Sequence, residues 1–249
     1  MASMTLLEIV QDILNDMDSD PVNSINDTVE AQQIAQTVKT TYNNIIDGRD
    51  WPWLYELFQF EALSSTLKPN YLKIPDTIIS LEFVKYNTRK STDTKDIFID
   101  IIYKSPQDFL DLVTRRNSSQ TTIQVVSDFS GVNLNILNNK APQYYTSFDD
   151  KYIIFDSFNN TVDTTTVASK SSGHGRRSVT FTIADSFVPD LPVQMFSYLL
   201  NESKATSFVN FKQQQNGKAE QNSVSQKRRM SQDAWKIKNG ITYPNYGRK

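Results

Sequence analysis

The chain contains no cysteine, a single histidine (His174) and only 7 glycines in 249 residues. The first absence rules out disulfides, thiolate metal sites, iron–sulfur clusters and thiol nucleophiles. The second leaves any histidine-dependent triad with one possible base, and His174 lies in the Gly/Ser-rich stretch Ser171-Ser172-Gly173-His174-Gly175, where a solvated loop residue is the expectation. With so few glycines, neither a P-loop nor a dinucleotide-binding fingerprint occurs. No stretch approaches the roughly 18 apolar residues of a membrane-spanning helix. The first residues carry Glu8, Asp12 and Asp16 and read as neither a signal nor a transit peptide, so synthesis in a cytoplasm is expected. Asp16, Asp18 and Asp20 lack the glycine and twelfth-position glutamate of a calcium loop. No enzyme, no cofactor and no metal site is therefore expected.

What is present is polar. The hydrophobic share is 38% and the charged share 22%, with abundant Asn, Gln, Ser and Thr, a balance that suits extensive contact surface. The net charge of -2 hides an asymmetry. Residues 1–62 hold 11 acids against Lys39 and Arg49, whereas residues 204–249 hold 10 bases against Glu220 and Asp233. Such ends can attract each other within a chain or between copies, or the basic end can meet an acidic partner.

Thr5-x-x-Glu8 forms a capping-box pattern, followed by Leu6, Ile9, Val10, Ile13 and Leu14 at helical spacing. Asp27-x-x-Glu30 opens a second helix, with Ala31, Ile34, Val38, Tyr42, Ile45 and Ile46 on one face until Gly48. Pro52 then bars continuation, and Trp51 and Trp53 flank it as anchors. Strands are expected at 71–74, 78–86, 97–103, 121–126, 132–136, 144–148, 152–155 and 179–183, with Asp149-Asp150 as a tight turn. Ser105-Pro106-x-Asp108 caps a short helix carrying Phe109, Leu112 and Val113. Residues 156–178 have no apolar periodicity and read as a long loop. Helical spacing returns with Met195, Leu199, Ala205 and Phe208.

The expected fold class is α+β: a helical bundle built from the N- and C-terminal segments, an inserted antiparallel β-rich domain, and an extended C-terminal arm. The expected divisions are 1–63 (helical hairpin and Trp-Pro-Trp turn), 64–185 (β-rich domain), 186–216 (helix completing the bundle) and 217–249 (arm). Lys227-Arg228-Arg229 and Arg176-Arg177 could meet phosphates, but the acidic chain argues for protein contact instead. In the arm, Trp235 and Ile237 are the expected anchors, with Tyr243 and Tyr246 further out. Arg228, Arg229, Lys236 and Lys238 would steer the segment towards an acidic surface. The competing expectation is a helix packed back on the chain's own acidic hairpin.

Asp50-Trp51-Pro52-Trp53 after a helical pair, Tyr103-Lys104-Ser105-Pro106-Gln107-Asp108-Phe109, the hairpin from Tyr144-Tyr145 to Phe155, and Pro189-x-Leu191-Pro192 before the last helices together resemble the head-to-tail adaptor (tail tubular) family of short-tailed bacteriophages. The resemblance covers most of the chain at the level of texture and order. It implies a structural virion protein at the head–tail junction: a ring, typically of twelve copies, binding the portal protein on one side and the tail nozzle protein on the other. The genome would pass through the ring without sequence-specific binding, and no membrane would be involved. A β-rich carbohydrate- or receptor-binding module is the alternative, suggested by 11 Tyr and 3 Trp.

Overall fold

The computed structural model describes residues 3–63, 65–90 and 92–232. The chain divides into two compact units, Met1–Trp53 with Val179–Lys249, and Leu54–Ser178. In the first unit, α1 (Leu6–Asp16) begins with both halves of the capping box: the Glu8 N–H donates to Thr5 Oγ1 at 3.3 Å and the Thr5 N–H to Glu8 Oε2 at 2.7 Å. Its next free N–H groups are taken up by the returning chain, Leu6 to the Phe187 carbonyl at 2.7 Å and Leu7 to that of Asp185 at 3.3 Å. Helix α2 (Val29–Asp47) is capped by Thr28, whose hydroxyl accepts from the Ala31 N–H at 3.1 Å. The expected cap, Asp27, closes the preceding turn instead by accepting from the Asn23 and Ser24 N–H groups. The apolar faces of α1 and α2 meet α4 (Phe196–Ser207), burying Ile9, Ile13, Ile34, Val38, Tyr42 and Leu199.

The second unit is dominated by a curled eight-stranded sheet in the order β1-β10-β4-β5-β8-β9-β3-β2. Its strands are β1 (Tyr55–Phe58), β2 (Glu61–Ala62), β3 (Tyr71–Lys73), β4 (Ile78–Asn87), β5 (Phe98–Tyr103), β8 (Tyr144–Thr146), β9 (Tyr152–Phe155) and β10 (Ser171–Arg177). All pairings are antiparallel except β5 with β8. β1 and β2 are consecutive pieces of chain at opposite ends of that order, so the sheet curls back on itself. Phe60, between them, packs inside with Leu72, Val84, Tyr86, Ile153 and Phe155. On the outside of β3 and β9, helix α3 (Pro106–Thr114) and a separate hairpin of β6 (Ile123–Ser127) and β7 (Asn133–Leu137) enclose a second core with Tyr71, Phe109, Leu134 and Ile154.

The expected fold class is therefore corrected. The chain is mixed α/β and dominated by the curled sheet, not a helical bundle carrying an inserted antiparallel domain. Two segments account for much of the difference. Residues 171–177, expected within a loop, form β10 between β1 and β4. There the inward positions are Gly173 and Gly175, because the space a side chain would fill is taken: a Cβ on Gly173 would lie 2.6 Å from the Phe58 ring, and one on Gly175 would lie 2.3 Å from the Ser80 carbonyl oxygen. Conversely, Val179–Ile183 is no strand; Phe181 packs its ring on Tyr42 at 5.1 Å and on Phe187 at 4.7 Å. The start of the expected arm, a polar stretch from Gly217 read as a helix or linker, is a helix, α5 (Gly217–Gln232), packed on α4.

Candidate interaction surfaces

Helix α5 turns Ala219, Ser223 and Met230 inward. Its polar seam is specific: the Ser223 hydroxyl donates to Glu202, and Gln226 Nε2 donates to Ser197 Oγ at 2.5 Å. The Arg49 guanidinium, lying over the Trp51 ring, donates to the Ser231 carbonyl at 3.0 Å and ties the end of α5 to the turn after α2. Trp51 is the anchor expected from the sequence, buried with its indole N–H donating to the Ile45 carbonyl at 2.7 Å. The outward side of α5 carries Val224, Arg228 and Arg229 around a shallow groove. Of the residues expected to bind a portal or neighbour, Arg228 and Arg229 thus share one solvent-facing helix side, whereas Trp235, Lys236, Ile237, Lys238, Tyr243 and Tyr246 lie outside the described residues.

The charge asymmetry is partly satisfied within the chain. Lys204 on α4 bonds Asp16 at 2.7 Å and Asp12 at 3.0 Å on α1. Burial alone would pull the ammonium's pKa down, but these carboxylates outweigh it and raise it.

In the second unit, the sheet's outer face across β1, β10, β4 and β5 carries an apolar row. Leu57, His174 and Phe83 stand in register on three adjacent strands, and Ile102 follows on β5. Leu57 and Ile102 are 72% and 59% exposed, a patch of the kind that partners cover. The His174 ring is stacked between Tyr55 at 5.7 Å and Phe83 at 5.3 Å, with Nδ1 2.6 Å from Glu82 Oε2. The histidine therefore sits on a strand, fixed by two rings and a carboxylate, and not in a solvated loop.

A second feature of this unit escaped sequence reasoning. Between the tip of the β6–β7 hairpin and the β8–β9 turn lies a cleft of about 480 Å³, walled by Tyr71, Phe129, Phe148 and Tyr152. Phe129 packs on Tyr152 with ring centres 4.8 Å apart, and Lys68 Nζ caps it 4.2 Å from the ring centre. Asp128 and Asp149 are the charged residues lining it. The Tyr71 hydroxyl donates to Asp128 Oδ1 at 2.8 Å. Burial first, then this bond to a carboxylate, pushes the Tyr71 phenol far above its ordinary range. Burial works in the same direction on Asp128, but donors from Ser130 and Tyr71 outweigh it and hold that carboxyl below the usual range. Asp128-x-Ser130-Gly131 between alternating strands was the available signal: a tight Asx turn lifting Phe129 to a hairpin tip, with Gly131 at a φ of 85°.

No group of three or more His, Asp or Glu side chains that could hold a metal ion occurs among the described residues. No family model matches the chain, and no curated protein matches it significantly.

Proposed function

We propose that the chain is a structural virion protein that forms an oligomeric adaptor ring between the portal and the tail nozzle of a short-tailed bacteriophage, leaving a channel for the genome. The observation that carries this reading is that each compact unit presents an exposed surface of its own: the side of α5 around Val224 and Arg228 on the first, and an aromatic and apolar face on the second. Two unlike surfaces on one chain make head-to-tail contacts, and these close into rings when the rotation allows. Basic helix faces suit an acidic portal or neighbour, with salt-sensitive association. The DNA passing through would be met by the ring's general electrostatics and not read base by base.

Native mass spectrometry of the purified chain, with and without the portal protein of the same virion, tests the reading. Oligomers that form only on the portal are expected. The alternative, a β-rich carbohydrate- or receptor-binding module, draws on the aromatic cleft at Phe129 and Tyr152. Glycan binding by a stable monomer or trimer that ignores the portal would replace the adaptor reading with that one.

A further inference from the structure

We propose that the cleft walled by Tyr71, Phe129, Phe148 and Tyr152 is a socket for the C-terminal segment, residues 233–249, of a second copy of this chain. The inference rests on the ring reading and names the contact by which one copy would hold the next.

The cleft has the volume of sites that take ligand-sized groups, about 480 Å³ against roughly 300–1,000 Å³ for such sites in general. It does not end in a closed chamber. Phe129, Val132 and Phe148 leave 56%, 52% and 38% of their surface exposed around it, so the apolar surface runs on beyond the cavity. That geometry suits an extended peptide carrying large side chains at intervals better than a small enclosed molecule. Charge narrows the occupant further. Asp128 and Asp149 are the charged residues that line the cleft, with Lys68 against the Phe129 and Tyr71 rings at its margin, and the hydrogen bonds to Asp128 favour its ionised form. A complementary peptide carries aromatic residues set among cations.

This chain supplies one. From residue 234 to the end the sequence contains no acid, and it interleaves Trp235, Ile237, Tyr243 and Tyr246 with Lys236, Lys238, Arg248 and Lys249. A buried indole with a basic rim is a common composition for the energetic centre of an interface. Donation of a segment from one copy into a different surface of the next is a heterologous contact, repeated once per neighbour around a ring. Each contact can then be weak alone and firm in the closed assembly.

The test uses the full chain with a photoreactive benzoylphenylalanine in place of Trp235, mixed as equal parts of ¹⁴N- and ¹⁵N-labelled protein, both free and on the portal. After irradiation, mass spectrometry locates the crosslinks. The expected result is a crosslink from position 235 to peptides spanning 128–134 or 148–154, with the two isotope labels mixed. The Phe129→Ala variant, which removes a half-exposed wall, is expected to reduce these crosslinks at least tenfold with unchanged melting. Crosslinks confined to one label, crosslinks elsewhere, or none at all would overturn the socket. The two readings fail separately: rings on the portal without mixed crosslinks at the cleft overturn only the socket. Mixed crosslinks without any ring overturn only the adaptor.

Discussion

Replacing Asp156 by alanine should destabilise the second unit more than any surface change in it. The carboxylate lies immediately after β9 and is almost fully enclosed, with 4% of its side chain exposed, against 13% for its partner Arg116. Arg116 reaches Asp156 Oδ2 at 2.9 Å and also donates to the Asn135 carbonyl at 3.1 Å. On its other side, Asp156 Oδ1 accepts from the N–H groups of Gln143 at 3.0 Å and Tyr144 at 2.9 Å. The Arg116–Asp156 pair thus joins the turn after α3, strand β7 and the start of β8. Removing the carboxylate leaves two backbone donors unmet and a buried guanidinium without its counter-ion, held only by the Asn135 and Asp156 carbonyls. Breaking a buried pair in this way costs about 3–5 kcal/mol, a large share of the roughly 5–15 kcal/mol that holds an ordinary domain together. Urea denaturation followed by circular dichroism measures it, and the double variant Arg116→Met/Asp156→Ala should recover part of the loss because no buried cation remains. A loss below about 1 kcal/mol for Asp156→Ala would refute the idea that this carboxylate is a hub.

Gly175→Ala should lower the second unit's stability by about 1–3 kcal/mol or more, because the new methyl meets the Ser80 backbone oxygen of β4 and cannot rotate away; thermal unfolding would reveal it. Tyr86 gives a pH dependence. Burial pushes its phenol up to about 12 even though the Val167 N–H donates to its oxygen. Its contribution is complete below about pH 10 and is lost as pH rises towards 12, about 2–3 kcal/mol for this group alone, and Tyr86→Phe should flatten that slope in melts at pH 9 to 11. Arg228→Glu, on the outward side of α5, should leave melting unchanged and weaken portal or neighbour binding about tenfold by sedimentation, equivalent to about 1.4 kcal/mol.

Most local signals were legible where a residue's partner lies nearby in sequence, the cap of α2 being displaced by one residue from Asp27 to Thr28. The Thr5/Glu8 capping box, the Ser105 cap with Pro106 behind it, and the Asp149-Asp150 turn need only neighbours three or four residues away, and each holds: Asp149 Oδ1 accepts from Lys151 and Tyr152, and Asp150 adopts a φ of 56°. Strand β10 was illegible for the opposite reason. Its inward positions are glycines because Phe58 and Phe60, more than a hundred residues earlier, fill the space, so the apolar alternation that marks a strand is carried by another strand's side chains. Val179–Ile183 has the alternation, but Phe181 finds aromatic partners in Tyr42 on α2 and in the nearby Phe187 rather than a strand to pair with. The basic residues of α5 were visible as a composition, but not their division: Arg228 and Arg229 border the groove beside Val224, whereas Lys227 lies beside residues of α2 and α4. The aromatic cleft was hidden because its rings come from three separate stretches: Tyr71, Phe129, and Phe148 with Tyr152.

The adaptor account is tested most directly by imaging the protein bound to its purified portal. It predicts a closed ring of copies coaxial with the portal, stacked on one of its faces, with a central channel wide enough for duplex DNA. A single off-axis copy, or a portal left bare at concentrations where the chain binds glycan, would contradict it.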